Sequence, residues 1–192
     1  MMLNKFWNYK LLGLIGLFNL FISRTFEIIS NKYSYFVNNK NLGFCGSNVS
    51  ILRGFKYRFP KSIKLYNNVS IGEFVSFTSE LNSGYINLRK NVVIGRFCKI
   101  DFSGGIEISS NSLLSENVSI QTHDHGVDPR SLPIGKPLII GENVWIGMNS
   151  IILSNCNNIG SNSIIGAGSI VTKDIPSNVI VAGNPAKIIK YI

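Results

Sequence analysis

The sequence predicts an all-β chain wound as a parallel β-helix, on three observations. From Ile140 to Val171 an aliphatic residue recurs every six positions, usually with Gly next and a small residue three further on: Ile140/Gly141/Val144, Ile146/Gly147/Ser150, Ile152/Leu153/Cys156, Ile159/Gly160/Ser163 and Ile165/Gly166/Ser169. The same beat occurs earlier, in Ile71/Gly72/Val75, Ile94/Gly95/Cys98, Ile108/Ser109/Ser112 and Leu114/Ser115/Val118. Gly and Asn fall between the units, where a chain that bends needs backbone angles other residues resist. A helix would space apolar residues three and four apart and an alternating strand two apart, so neither explains a period of six. In a β-helix each unit is a short strand plus a bend, and three units close one triangular coil.

The residue types follow from that geometry. Each aliphatic side chain points into a narrow prism and stacks on its equivalent one coil away, roughly 4.8 Å distant. The small residue faces inward near a bend, where a larger group would overfill the prism. At about eighteen residues per coil, the stretch from 65 to 180 allows about six coils, one interrupted by a loop. The unit from Ile152 to Asn158 has one residue too many, which predicts a bulge at one bend.

The organisation expected is an apolar, helical segment over residues 1–45 followed by one repeat domain over 46–192. Leu11 to Ile22 is a mostly apolar run with Lys5 and Lys10 before it and Arg24 after it. It is short of the roughly 20 residues that span a bilayer, and no small-residue cleavage site follows it, which argues against a secretory signal. It is expected to pack as a short helix on the coil or a neighbouring subunit, or to lie at a membrane surface. Residues 31–64 read as irregular lead-in or first strands.

A formal charge of +9 and a pI near 9.6 favour anionic partners, but the basic residues are scattered without a Lys/Arg run, so no nucleic acid is expected. Three cysteines leave at least one unpaired. Cys98 and Cys156 occupy small inward slots, and with Cys45 they read as reduced thiols of a cytoplasmic protein.

The beat breaks between Gln121 and Leu138, a segment holding both histidines and three of the six prolines. An extended loop is expected there, and loops projecting from a stiff scaffold often carry chemistry. Thr122-His123-Asp124-His125-Gly126-Val127-Asp128-Pro129 supplies imidazoles suited to take a proton from a hydroxyl near neutral pH. Asp124 is either a group that orients an imidazole or a solvated loop carboxylate.

The chain resembles the hexapeptide-repeat acyltransferases, most strongly in Asn143–Gly147 (NVWIG), Ile164–Pro176 (IIGAGSIVTKDIP) and Ala182–Ile189 (AGNPAKII). The resemblance implies a left-handed coil, since ordinary β-crossovers are right-handed and no spacing here predicts otherwise. It implies transfer of an acetyl group from acetyl-CoA to a hydroxyl or amine. In sugar acetyltransferases of the family the catalytic His is followed by Asp-Pro three and four positions on, which matches His125, Asp128 and Pro129; His123 is the second choice. Asp101 resembles an acceptor-positioning residue and Trp145 one near the acyl end, though a bend hydrogen bond and an aromatic ledge explain them equally. The CoA arm would run past Met148, Gly166, Ala167, Thr172 and Lys173, with Lys187 and Lys190 meeting the nucleotide phosphates.

That groove lies between subunits in the family, so a homotrimer is implied. The expected activity is O-acetylation of a sugar hydroxyl in a bacterial surface polysaccharide or its precursor, in the cytoplasm or at the inner face of its membrane. N-acetylation of an amino sugar nucleotide and a non-catalytic scaffold are the alternatives. Zinc-dependent β-helix enzymes need three His ligands and this chain has two, so no metal is expected unless another ligand type joins them.

Overall fold

The computed structural model describes residues 14–192, in which one helix precedes a three-sided β prism. The helix, α1, runs over Leu14–Asn41 and is 28 residues long, so the N-terminal helix is not short. Residues 31–41, expected as lead-in, complete it. The Leu11–Ile22 run belongs to it from Leu14 onward; residues 11–13, with Lys5 and Lys10, lie outside the described residues.

The first face of the prism stacks Phe44–Cys45, Ile63–Leu65, Ile86–Leu88, Ile106–Ile108, Leu138–Ile140 and Asn158–Ile159. The second stacks Ser50–Ile51, Ser70–Ile71, Val93–Ile94, Leu113–Leu114, Trp145–Ile146, Ile164–Ile165 and Val179–Gly183, with Ala186–Tyr191 folding back antiparallel on the last. The third stacks Lys56–Tyr57, Ser76–Thr78, Lys99–Asp101, Ser119–Ile120, Ile151–Ile152 and Ile170–Val171. Six strands on the first and third faces make six complete coils, and the bridge from Ile175 to Ile159 begins a seventh. The prism starts at Phe44, a coil earlier than the repeat indicates, because Phe55 fills the inward slot a small residue takes elsewhere.

Every pairing within the coils is parallel and in register, for example Ile86, Ile106 and Leu138 on one column and Leu114 on Ile146 on another. These side chains are fully buried, and each is worth about 1.5–3 kcal/mol relative to exposure, so the aliphatic columns drive folding. The small slots hold Ser112, Ser150, Ser163 and Ser169, all buried; Ser112 Oγ donates to Gly141 O (2.7 Å) and accepts from Val144 N, so its polarity is satisfied.

Two of the three corners are built alike. Between the first and second faces Asn48, Asn68, Asn91, Asn111, Asn143, Asn162 and Asn178 all take positive φ, and their amides form ladders such as Asn68 Nδ2 to Asn91 Oδ1 (2.9 Å) and Asn91 Nδ2 to Asn111 Oδ1 (2.8 Å). Between the second and third faces the positive-φ column is Gly54, Phe74, Phe97, Asn117, Asn149 and Gly168. Phe74 and Phe97 are unusual residues for that conformation, and they stack on one another at 5.5 Å with planes 5° apart.

The third corner, from third face back to first, has no such column, and its connections vary from the four residues of Phe102–Gly105 to the seventeen of Gln121–Pro137. The extra residue near Cys156 is absorbed there, with Asp174 Oδ1 accepting from the backbone N–H groups of Asn157 and Asn158 (2.6 and 3.0 Å).

The C-terminal part of α1 covers the N-terminal end of the prism: Ser34 Oγ donates to Leu52 O and Asn31 Oδ1 accepts from Arg53 N, both at 3.0 Å, and Asn38 and Leu42 are buried. The preceding part is not covered. Phe18, Phe21, Phe26 and Ile29 are each more than 60% exposed.

Candidate active site

The loop leaves the prism after Ser119–Ile120 and returns at Leu138. Its base is a two-residue antiparallel pairing, His123 with Gly135 and Asp124 with Ile134. Lys136 N donates to Thr122 O (2.7 Å) across the base of the loop, and Gly104 N of the previous coil donates to Thr122 Oγ1 (3.0 Å). Gly104 is required, because a Cβ there would sit 2.3 Å from Lys136 backbone atoms. Lys136 Nζ binds Asp124 and Asn155 Oδ1, tying the loop to the following coil as well. Asp124 therefore does not orient an imidazole, and its carboxyl lies below the ordinary range because Lys136 and the Gly126 N–H bind it. Asp128 caps the turn at Arg130 N (2.9 Å).

Both histidines stand at this corner, with ring centres 5.3 Å apart and planes at 86°. His123 Nδ1 is 2.9 Å from Asp101 Oδ2, and His125 Nδ1 is 2.7 Å from Ser131 O. Each acceptor assigns the proton to Nδ1, which leaves the Nε2 lone pair of either neutral ring available. Their surroundings differ. The His123 side chain is 16% exposed and its carboxylate partner 10%, whereas the His125 side chain is 28% exposed and bonded only to a loop carbonyl.

Asp101 is buried, and both of its oxygens are engaged: Oδ1 accepts from Ser103 Oγ (2.6 Å), and Oδ2 from Thr122 N, Thr122 Oγ1 and His123 Nδ1 (2.9 Å each). Burial alone would raise its pKa, but these hydrogen bonds outweigh burial and hold the carboxyl below its usual range.

A cleft of about 310 Å³ opens beside the pair, lined by Arg58, Ser79, Glu80, Lys99, Asp101, Gln121 and His123 among others. His125 does not line it. Glu80 comes from the coil two below the histidine loop. Its Oε1 lies 3.6 Å from His123 Nε2 and its Oε2 3.6 Å from His125 Nε2. The motif reading misses Glu80, Arg58 and Lys99. Coil register finds them, since Thr78 pairs with Asp101 and Ile100 with Ile120.

The remaining predicted residues lie elsewhere on this chain. Trp145 is on the outer side of the second face, where its Nε1 donates to Ser115 Oγ (3.0 Å), and so is apart from Asp101. Met148, Gly166 and Ala167 flank the second corner, where Gly168 N donates to Met148 O (2.8 Å). Thr172 and Lys173 follow the last third-face strand. Lys173 and Lys187 share a second cleft of about 310 Å³ at the C-terminal end, and Lys190 lies on the same final strand as Lys187. The third face thus separates the second-corner residues from the histidines, and one chain alone does not bring the whole set together.

No family model matches the chain. A protein of Escherichia coli named as a lipopolysaccharide biosynthesis O-acetyl transferase, WbbJ, is 31% identical over 153 residues, 69% of this chain and 76% of that one. The chain belongs to the hexapeptide-repeat acyltransferases. The solved maltose O-acetyltransferase of Clostridium difficile is 30% identical at a TM-score of 0.59, covering 81% of this chain and 73% of that one. AntD, an N-acyltransferase of Bacillus cereus solved with dTDP and 3-hydroxybutyryl-CoA, has a TM-score of 0.71 over 81% of this chain and 86% of its own, and at 22% identity it shows the shared fold alone. The fold is the family's left-handed parallel β-helix. The chain spans about half the length of the first curated relatives it matches, from 44% to 58% of each.

Proposed function

We propose that this chain is an acetyl-CoA-dependent O-acetyltransferase acting on a sugar hydroxyl, of a bacterial surface polysaccharide or its precursor. The observation that carries the reading is the imidazole of His123, held by the buried Asp101 carboxylate at the edge of the cleft. Asp101 keeps the proton on Nδ1, so Nε2 faces outward as the base. Nε2 takes the proton of the acceptor hydroxyl as its oxygen attacks the thioester carbonyl. The tetrahedral intermediate then collapses, the C–S bond breaks, and the imidazolium returns the proton to the departing CoA thiolate. No acyl-enzyme forms. His123 thereby takes the role that the Asp-Pro spacing gives to His125, and Asp101 acts through the imidazole.

The donor would lie along the third face, with Met148, Gly166 and Ala167 from one subunit and Thr172, Lys173, Lys187 and Lys190 near the nucleotide end. A homotrimer would bring the donor residues of one subunit to the histidines of another, since within one chain the third face separates Met148, Gly166 and Ala167 from His123 and His125. Arg58 and Lys99 at the cleft suit an acidic glycan. Glu80 would hold the ammonium of an amino sugar equally well, and this favours N-acetylation as the second reading.

Residues 1–45 and 46–192 divide the labour between attachment and chemistry in this reading. No helix among the described residues is long and apolar enough to cross a membrane. The uncovered apolar stretch of α1, which carries Arg24 within it and Lys32 after it, fits a peripheral helix at the inner face of the cytoplasmic membrane. Deleting residues 1–25 should move the protein from the membrane fraction to the supernatant; unchanged fractionation removes this part of the reading.

Thiol release from acetyl-CoA across a panel of sugars and amino sugars tests the activity. His123→Ala should lower kcat/KM by about 10²–10⁴-fold, and His125→Ala by far less. Equal turnover of wild type and His123→Ala would overturn the assignment.

A further inference from the structure

We infer that Glu80, His123 and His125 form a binding site for a divalent transition metal, with zinc the ion that fits best. One ligand atom from each of the three lies within 4.8 Å of the others, and each Nε2 stands 3.6 Å from a Glu80 oxygen. A four-coordinate zinc with bonds of about 2.0–2.1 Å sets its ligand atoms about 3.3–3.4 Å apart, so each 3.6 Å contact need close by only a few tenths of an ångström and the widest pair, within 4.8 Å, by at most about 1.5 Å. Two imidazoles and one carboxylate are a ligand set that zinc takes when a fourth position stays open. Here that position would face the cleft that Glu80 and His123 line.

A second observation points the same way. A metal-binding imidazole donates its other N–H to a carboxylate or backbone carbonyl, which fixes the tautomer and aims the ring. Both rings are held in this manner before any ion arrives, His123 Nδ1 by Asp101 and His125 Nδ1 by Ser131 O. His125, which reaches no cleft, and Glu80, which has no role in the proton transfer above, both acquire a function. The shortfall of one histidine in the sequence is made up by a carboxylate two coils away.

Metal binding stands on geometry alone; its consequence for turnover rests on His123 being the base. An ion on Nε2 occupies the lone pair that would accept the acceptor proton, so the site is inhibitory and a metal-requiring reaction is not implied.

The full chain, freed of metal by chelator, should be titrated with Zn(II) while the Nε2 resonances of its two histidines are followed. Both should shift and saturate together at one ion per chain. Glu80→Gln and His125→Asn should each weaken binding at least about tenfold in equilibrium dialysis, with metal-free melting curves unchanged. No saturable binding, or a response from only one imidazole, overturns the site; because this reading uses the wild type, it holds even if a variant fails to fold. Thiol release measured in parallel separates the two ideas. Stoichiometric zinc that binds and abolishes turnover, with recovery on chelation, supports both, whereas binding without loss of turnover sustains the metal site and removes His123 as base.

Discussion

The first and third corners of the prism are made from the same chain under the same core, yet they differ in every respect that matters to function. The first repeats Asn at positive φ from Asn48 to Asn178, each amide bonded to the next in the ladder for most of its length. The third has no repeated residue and no fixed length, and it gathers Glu80, Asp101, His123 and His125 from successive coils. A corner whose side-chain amides are spent on a ladder has few free donors or acceptors to offer. A corner released from the ladder can vary in length while the parallel columns on either side hold it in place, and chemistry collects there.

This contrast can be broken at several points. The largest effect should come from the third corner: Asp101→Asn leaves the buried hydrogen bonds partly in place but can leave His123 in the wrong tautomer, and kcat should fall about 10²–10⁴-fold in the thiol-release assay. A loss below tenfold would mean that Asp101 is only a structural bond. In the columns beneath, Ile108→Ala should destabilise the chain by about 2–5 kcal/mol in denaturant unfolding, since Ile108 is fully buried between Leu88 and Ile140. At the first corner, Asn91→Ala removes two ladder bonds and puts a Cβ residue at φ 61°, for about 1–2 kcal/mol. Asn91→Gly should cost less, because glycine takes that conformation freely.

The smallest effect is a matter of thiol access. Burial pushes the Cys98 thiol up to about 11 and that of Cys156 up to about 12. Neither forms appreciable thiolate near neutral pH, so a disulfide reagent should reach only the half-buried Cys45 before unfolding. Three fast-reacting thiols in the native protein would show the prism to be open.

The regular part of the molecule was legible in the sequence because a solenoid writes its geometry into a local period: the Ile and Leu columns, the Asn corners and the interruption from Gln121 to Leu138 all follow from it. The irregular parts were not. The first coil escapes the period because Phe55 breaks the small-residue pattern, and the extension of the expected helix over residues 31–41 because the polar stretch after Ser30 lacks an apolar stripe. At the site the two histidines are visible in the sequence, but the partners that distinguish them are not. The Asp-Pro spacing that favoured His125 caps a turn, whereas the partner that distinguishes His123 lies 22 residues away. Partners about one coil apart are contacts, so reading the sequence in coil-length steps from His123 leads to Asp101 and then to Glu80.

The central claim is that stability and chemistry reside at different corners. Turnover per folded molecule and melting temperature, measured together on His123→Ala and Asn91→Ala, test it most directly. The account predicts that His123→Ala loses turnover at an unchanged melting temperature while Asn91→Ala melts earlier at unchanged turnover. Turnover retained in His123→Ala, or both properties lost together in each variant, would contradict it.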